Sequence, residues 1–334
     1  MEESGWNLAL IMKSEANMIS RIPVTIIAGF LGSGKTTLVN HIIASNRGMK
    51  IGVIVNDFGE IDIDSNLIVS ASDEILEIRN GCICCSTNGD LRVAVSKLFN
   101  NNTLPEYLII ESTGIGDPLP IVKTFMRPEF IRQARVDSIV TVVDVENIQD
   151  SLSDISVIKN QIKFADFILL NKCDRVPEQA VNTVEALIRE FNNDSRILMT
   201  VKCSVPLEVI LGARVNTENM IALQNNHHSD NCDHECHAHN ESNHGFISVA
   251  FSSNELLDPD KFQDFLQNIP SSIFRAKGFL RTTQSDQGYI FHLIAKRFTL
   301  DADQETRNPQ NQLVFIGRDF DKDSLISNLK MCIY

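Results

Sequence analysis

The sequence holds 334 residues with a net charge of −13, of which 43% are hydrophobic and 22% charged. Those proportions fit a soluble globular protein of about two domains. The acidic balance leaves no basic surplus to neutralise phosphates, which argues against nucleic acid as a partner. No apolar run approaches the roughly 20 residues of a membrane-spanning helix, so no membrane partner is expected either.

Residues 1–20 read as a loose N-terminal extension. Glu2 and Glu3 stand where a signal peptide needs a basic start, so the expected location is cytoplasmic. Met18, just ahead of Arg21-Ile22-Pro23-Val24, is a candidate natural start.

Val24-Thr25-Ile26-Ile27-Ala28 is short, apolar and β-branched, which predicts a buried strand. It runs into Gly29-Phe30-Leu31-Gly32-Ser33-Gly34-Lys35-Thr36, the G-x-x-x-x-G-K-[ST] pattern of a phosphate-binding P-loop. From Thr37 the apolar residues fall at helical spacing, so the loop sits between strand and helix as the motif requires. Gly29, Gly32, Ser33 and Gly34 curl the backbone so that its N–H groups face phosphate oxygens. Lys35 reaches the β- and γ-phosphates, Thr36 offers its hydroxyl to Mg²⁺, and Thr37 completes the phosphate-binding set at the helix start.

Ile51–Val55 predicts a second buried strand, followed by the acidic run Asn56–Asp64. A loop in this place often approaches the γ-phosphate and changes shape on hydrolysis, which makes Asp57 and Glu60 candidates for sensing it. Glu74–Ile78 alternates weakly. Leu91 to Phe99 predicts a helix and Tyr107–Ile110 a third strand, which delivers Glu111-Ser112-Thr113-Gly114. That arrangement resembles the second phosphate-site motif of P-loop GTPases, in which the acid steers an Mg²⁺-bound water and the Gly114 N–H senses the γ-phosphate. Val136–Val143 predicts a strand ending in Asp144-Val145. Phe167–Leu170 predicts another, ending in Asn171-Lys172-Cys173-Asp174, the N-K-x-D guanine reader. Asp174 can accept two hydrogen bonds that guanine offers and adenine does not. Asn171 would tie the base loop to the P-loop, and the Lys172 stem would cover the base. Arg196 to Val201 predicts a further strand, and Lys202-Cys203-Ser204 a last loop near the base. Alternating strands and helices through about residue 212 predict an α/β P-loop domain over 21–212, with a mostly parallel sheet and helices on both faces.

Residues 213–244 read as a flexible linker, and within them Asn225 to His244 has almost no apolar content to pack a core. The tract carries His227, His228, Cys232, His234, Cys236, His237, His239 and His244, a composition suited to loose metal capture. From 245 to 334 a small α+β domain with a mostly antiparallel sheet is expected. Its strands are predicted at Phe246–Phe251, Ile273–Thr282, Gly288–Phe298 and Gln312–Ile316, and its helices at Asp258–Gln267 and Asp321–Met331. His41 and His292, single histidines on apolar segments, are read as structural.

The chain has eight cysteines, three of them in Cys82-Ile83-Cys84-Cys85. In a reducing compartment such clustering points to metal or catalysis rather than to disulfides. Cys82 and Cys85 have the spacing that lets two sulfurs bind one ion across a turn, and Cys84 can join only if the chain bends. Thiolates select Zn²⁺, Cu⁺ or Co²⁺. A set of small buried hydrophobes and a redox dithiol remain open as other readings.

These motifs together resemble the CobW-like family of P-loop GTPases: Gly29–Thr36, the Asn56–Glu60 loop, Gly81–Cys85, Glu111–Gly114 and Asn171–Asp174. Lys277-Gly278-Phe279-Leu280 and Gln312–Arg318 are similar to the C-terminal domain of that family. The resemblance implies a GTP-hydrolysing metallochaperone with Mg²⁺ as cofactor, Zn²⁺ or Co²⁺ as cargo, GTP, GDP and a client metalloprotein as partners, and the linker as an accessory collector. Where the family pattern usually has Glu, this chain has Asp57, a carboxylate of shorter reach. A nucleotide-modulated zinc buffer or sensor is the rival from another class, and a general P-loop kinase a third. Oligomeric state, with a homodimer as one option, stays open.

Overall fold

The computed structural model describes residues 21–46, 48–55, 75–78, 89–100, 104–148, 156–211, 245–303 and 310–334. They fall into two compact units, one before and one after the 212–244 stretch.

The first unit is built on a sheet in the order β3-β2-β4-β1-β5-β6-β7. Its strands are β1 (Ile22–Ala28), β2 (Ile51–Val55), β3 (Ile75–Ile78), β4 (Tyr107–Glu111), β5 (Ala134–Asp144), β6 (Phe167–Asn171) and β7 (Arg196–Met199). Every neighbouring pair is parallel. The sequences show why. Tyr-Leu-Ile-Ile-Glu in β4 and Phe-Ile-Leu-Leu-Asn in β6 are buried at every position, as strands covered on both faces must be.

On one face, Val24, Ile26, Leu108 and Ile110 pack with Val95 and Leu98 of α2 (Gly89–Phe99) and Phe125 of α3 (Leu119–Phe125). Further along it, Ile168 and Leu170 pack with Ile158 and Ile162 of α4 (Ser156–Lys163) and with Val181, Val184 and Ile188 of α5 (Glu178–Phe191). The strand residues of opposite parity meet the other helices. Ser138 Oγ donates to the Ile210 carbonyl of the short α6 (Leu207–Ile210) at 3.2 Å. His41 of α1 (Lys35–Ser45) lies on the same side, its Nε2 2.8 Å from the Val205 carbonyl, which gives this histidine a structural partner. Beneath the sheet ends sits a buried ion pair, Arg135 Nη1 to Asp137 Oδ1 at 2.7 Å, with Tyr107 donating to the other carboxylate oxygen at 2.8 Å. A buried pair needs such added hydrogen bonds to offset its desolvation.

The second unit is an antiparallel sheet in the order β11-β10-β9-β12-β8. Its strands are β8 (Phe246–Ser253), β9 (Ile273–Thr282), β10 (Ser285–Ile294), β11 (Arg297–Ala302) and β12 (Asn311–Arg318). Helices α7 (Pro259–Gln267) and α8 (Lys322–Met331) lay Phe262, Leu266, Leu325 and Leu329 onto Phe251, Phe291, Leu313 and Phe315. Asp258 and Asp321, expected as the first helical residues, are instead the N-caps. Each side chain accepts two backbone N–H bonds, from Asp260 and Lys261 and from Asp323 and Ser324.

The single strand expected over Gly288–Phe298 is two. The chain reverses at Ala295-Lys296, with Ala295 at φ 52°, and Leu293 faces Phe298 across the resulting hairpin. No glycine, asparagine or proline marks this turn. Among the described residues, no helix is long and apolar enough to cross a membrane.

Candidate functional site

β1, β4, β5 and β6 all end on one edge of the parallel sheet, where the crevice of an open α/β fold lies. β1 leads into Gly29–Thr36. Helix α1 then begins at Lys35, with Gly34 as its N-cap in a left-handed conformation, no side-chain cap and no acidic residue in its first turn. The positive end of the helix is therefore not neutralised by a cap or by an acid of its own first turn. Lys35 is buried, its Nζ 3.3 Å from the Phe30 carbonyl across the loop. Ser33 is also buried, and its hydroxyl has no hydrogen-bond partner. An unpaired buried hydroxyl beside a lysine and an uncapped helix start is a donor set that fits phosphate. Gly32 and Thr37 are exposed at the loop.

Glu111, buried at the end of β4, accepts a hydrogen bond from Thr36 Oγ1 at 2.9 Å. Paired hydroxyl and carboxylate oxygens are hard donors that suit Mg²⁺. Beyond Glu111, Ser112 N–H donates to the Ile27 carbonyl at 2.8 Å, so the loop starts alongside β1. Gly114 lies tight against the P-loop: a Cβ there would come within 2.8 Å of the Leu31 backbone nitrogen. The far side of this loop is held by α4. Buried Gln161 donates its side-chain amide to the Gly116 carbonyl at 2.9 Å and, less closely, to that of Gly114 at 3.4 Å. Asn160 donates to Asp117 at 2.9 Å.

Asn171 joins the other parts. Its Nδ2 donates to the Ser33 carbonyl at 2.8 Å, and its Oδ1 accepts the Cys203 N–H at 2.9 Å. The N-K-x-D loop, the P-loop and the loop after β7 are thereby tied through one buried side chain. A Cβ on Gly34 would lie 2.5 Å from Asn171 Nδ2, and its φ of 114° disfavours any other residue, so this brace requires glycine. Lys172 pairs with Asp144 Oδ2 at 2.7 Å. Asp174 is exposed in the turn Cys173–Arg175. Cys203 is fully buried, its thiol 3.3 Å from the Gly34 carbonyl, and burial pushes it up to about 12. It is packed beneath the P-loop at the start of α1.

The structure thus brings the P-loop together with Glu111, Gly114 and Asn171, and Lys172 and Asp174 follow Asn171 in its loop. Asp57, Glu60, Cys82, Cys84 and Cys85 lie outside the described residues, as do His227, His228, Cys232, His234, Cys236, His237, His239 and His244. Among the described residues, no three His, Cys, Asp or Glu side chains gather as a metal site. Two residues absent from the sequence-based candidates enter the site, Asp144 and Gln161. Asp144 carried one signal, its position at the carboxyl end of a buried parallel strand. Gln161 carried none.

Residues 23–199 match the family model described as CobW/HypB/UreG, nucleotide-binding domain, and residues 246–333 match the cobalamin synthesis protein cobW C-terminal domain. The chain is 39% identical over 237 residues to the zinc-regulated GTPase metalloprotein activator 1 of Dictyostelium discoideum, covering 60% of this chain and 50% of that protein. The match thus spans half the length of that relative. It is 30% identical to the zinc chaperone CobW of a Sinorhizobium species, over 78% of this chain and 81% of that one. To the zinc chaperone YjiA of Escherichia coli it is 30% identical, over 89% and 94%.

Proposed function

This chain belongs to the CobW/HypB/UreG family of nucleotide-binding proteins, and from that premise we propose that it hydrolyses GTP to drive delivery of a transition-metal ion to a client protein. The observation that carries the reading is the Asn171 brace, which sets a guanine-reading loop against a phosphate loop through a 2.8 Å bond to Ser33. Separate motifs become one nucleotide pocket by that contact.

Lys35 and the P-loop amides stabilise charge on the phosphates, and catalysis is mainly positioning. Thr36 and Glu111 would hold Mg²⁺, which when bound would supply positive charge to offset that of the phosphates. Gly114 N–H reads the γ-phosphate, and Asp57 or Glu60 orients the attacking water. Asp174 accepts from the guanine edge.

Cys82, Cys84 and Cys85 hold the cargo, and the His/Cys tract of 213–244 collects ions for them. Zinc is the first candidate, supported by thiolate chemistry and by the names of the three relatives, and cobalt the second. The 21–212 domain is the motor, 245–334 a second domain, and the setting cytoplasmic.

Two measurements test this reading. ATP in tenfold excess should not displace GTP; equal competition contradicts the guanine assignment. Protein purified without added metal should carry zinc that is lost when Cys82, Cys84 and Cys85 are replaced by Ala; unchanged metal content contradicts the cargo site.

A further inference from the structure

β5 and β6 run side by side and end together, with Asp144 opposite Asn171. Val145 N–H donates to the Asn171 carbonyl at 3.2 Å, so the two chain segments leave the sheet joined. Lys172 then takes a left-handed conformation, φ 65° and ψ 30°, which is uncommon for a residue with a long side chain. Its Nζ reaches back to Asp144 Oδ2 at 2.7 Å, with the two side chains 22% and 10% exposed.

Asp144 is itself fixed. Oδ1 accepts the Glu146 N–H at 3.0 Å, and Oδ2 accepts Asn147 Nδ2 at 2.8 Å. Burial works against the charged carboxyl, but the bonds from Lys172, Asn147 and Glu146 outweigh it and hold Asp144 below its ordinary value. The contact is a short, sheltered, charge-assisted bond rather than a solvated surface pair. One end of Lys172 is set by the strained backbone and the turn Cys173–Arg175, and the other by Asp144. The stem of Lys172 is thus held at both ends.

We propose that Asp144 is a positioning residue for the base site: by clamping the Lys172 ammonium it lays the apolar stem of that lysine where the face of a guanine rests. An unclamped lysine would give up its rotamer freedom on each binding event, and a clamped one has already done so. The inference rests on the reading of Asn171–Asp174 as the base reader. Because GTP and GDP share the base, Asp144 contributes equally to both and leaves the chemical step alone.

The test uses the full chain. GTP and GDP affinities are measured by calorimetry, and kcat at saturating GTP, for the wild type, Asp144→Asn, Asp144→Glu, Lys172→Met and the Asp144→Asn/Lys172→Met pair. Asp144→Asn should weaken GTP and GDP by the same factor, about tenfold, with kcat unchanged. Asp144→Glu should recover most of that loss. In the Lys172→Met background, which keeps an apolar stem without the charge, Asp144→Asn should add less than about twofold. Affinities unchanged by Asp144→Asn overturn the inference, as does an equal loss in both backgrounds or a loss confined to GTP. If Asp144→Asn does not fold, Lys172→Met alone must show the matched loss, and unchanged affinities there overturn it. Wild type that takes ATP as well as GTP overturns both the base reading and this inference. Wild type that selects GTP while Asp144→Asn is silent overturns this inference only.

Discussion

Thr36 Oγ1 donates to Glu111 Oε1 at 2.9 Å, so the first turn of α1 and the end of β4 share a hydrogen bond across the sheet edge. The pair presents two oxygens where the P-loop meets the second phosphate motif. Thr36→Ala removes one of them. It should lower GTP hydrolysis at saturation by about 100-fold and raise the Mg²⁺ concentration needed for half-maximal rate. A Mg²⁺ titration of kcat checks this, and an unchanged titration curve would contradict the assignment.

Asn171→Ala should cost stability as well as binding. It leaves the Ser33 carbonyl and the Cys203 N–H without a side chain that now meets both inside the protein. Two such groups left unpaired cost about 3 kcal/mol together. The thermal midpoint of the nucleotide-free protein should fall, and it should fall further than in Asp174→Ala, whose side chain is exposed.

Gln161→Leu keeps the bulk of a buried side chain and removes the amide that holds Gly116 and Gly114. If the loop reads the γ-phosphate, loosening it should blunt the difference between GTP and GDP. The ratio of the two affinities should shrink by about tenfold while GDP affinity stays near wild type. A parallel loss for both nucleotides would make Gln161 a packing residue only.

Cys203 gives a pH prediction. Burial raises this thiol from 9.0 to about 12, so the folded state keeps the proton that the unfolded state gives up. Its contribution to stability is fully present below pH 9.0 and is lost as the pH climbs toward about 12. In the native protein at pH 8, iodoacetamide should leave Cys203 unmodified, and unfolding should expose it. Mass spectrometry of the labelled peptides reads both states.

What the sequence carried plainly was contiguous. β4 and β6 are apolar up to their last residues, Glu111 and Asn171, and the P-loop and Asn171–Asp174 patterns each sit within eight residues, so each can be read in one stretch. What it did not carry was tertiary. Gln161 lies 45 residues from Gly116 and Lys172 lies 28 from Asp144, and no spacing rule joins them. The reversal at Ala295-Lys296 was hidden for a different reason: its turn uses an alanine at positive φ, where glycine or asparagine would have been the visible sign.

The proposed delivery cycle turns on coupling between the bound nucleotide and an ion at the proposed site of Cys82, Cys84 and Cys85. Single-turnover GTP hydrolysis with and without Zn²⁺, run beside a zinc titration in the presence of GTP and then GDP, measures that coupling from both ends. The prediction is a hydrolysis rate that changes with zinc and a zinc affinity that differs between the two nucleotides, both abolished when the three cysteines are replaced by Ala. A rate indifferent to zinc together with a zinc affinity indifferent to nucleotide would contradict delivery driven by GTP.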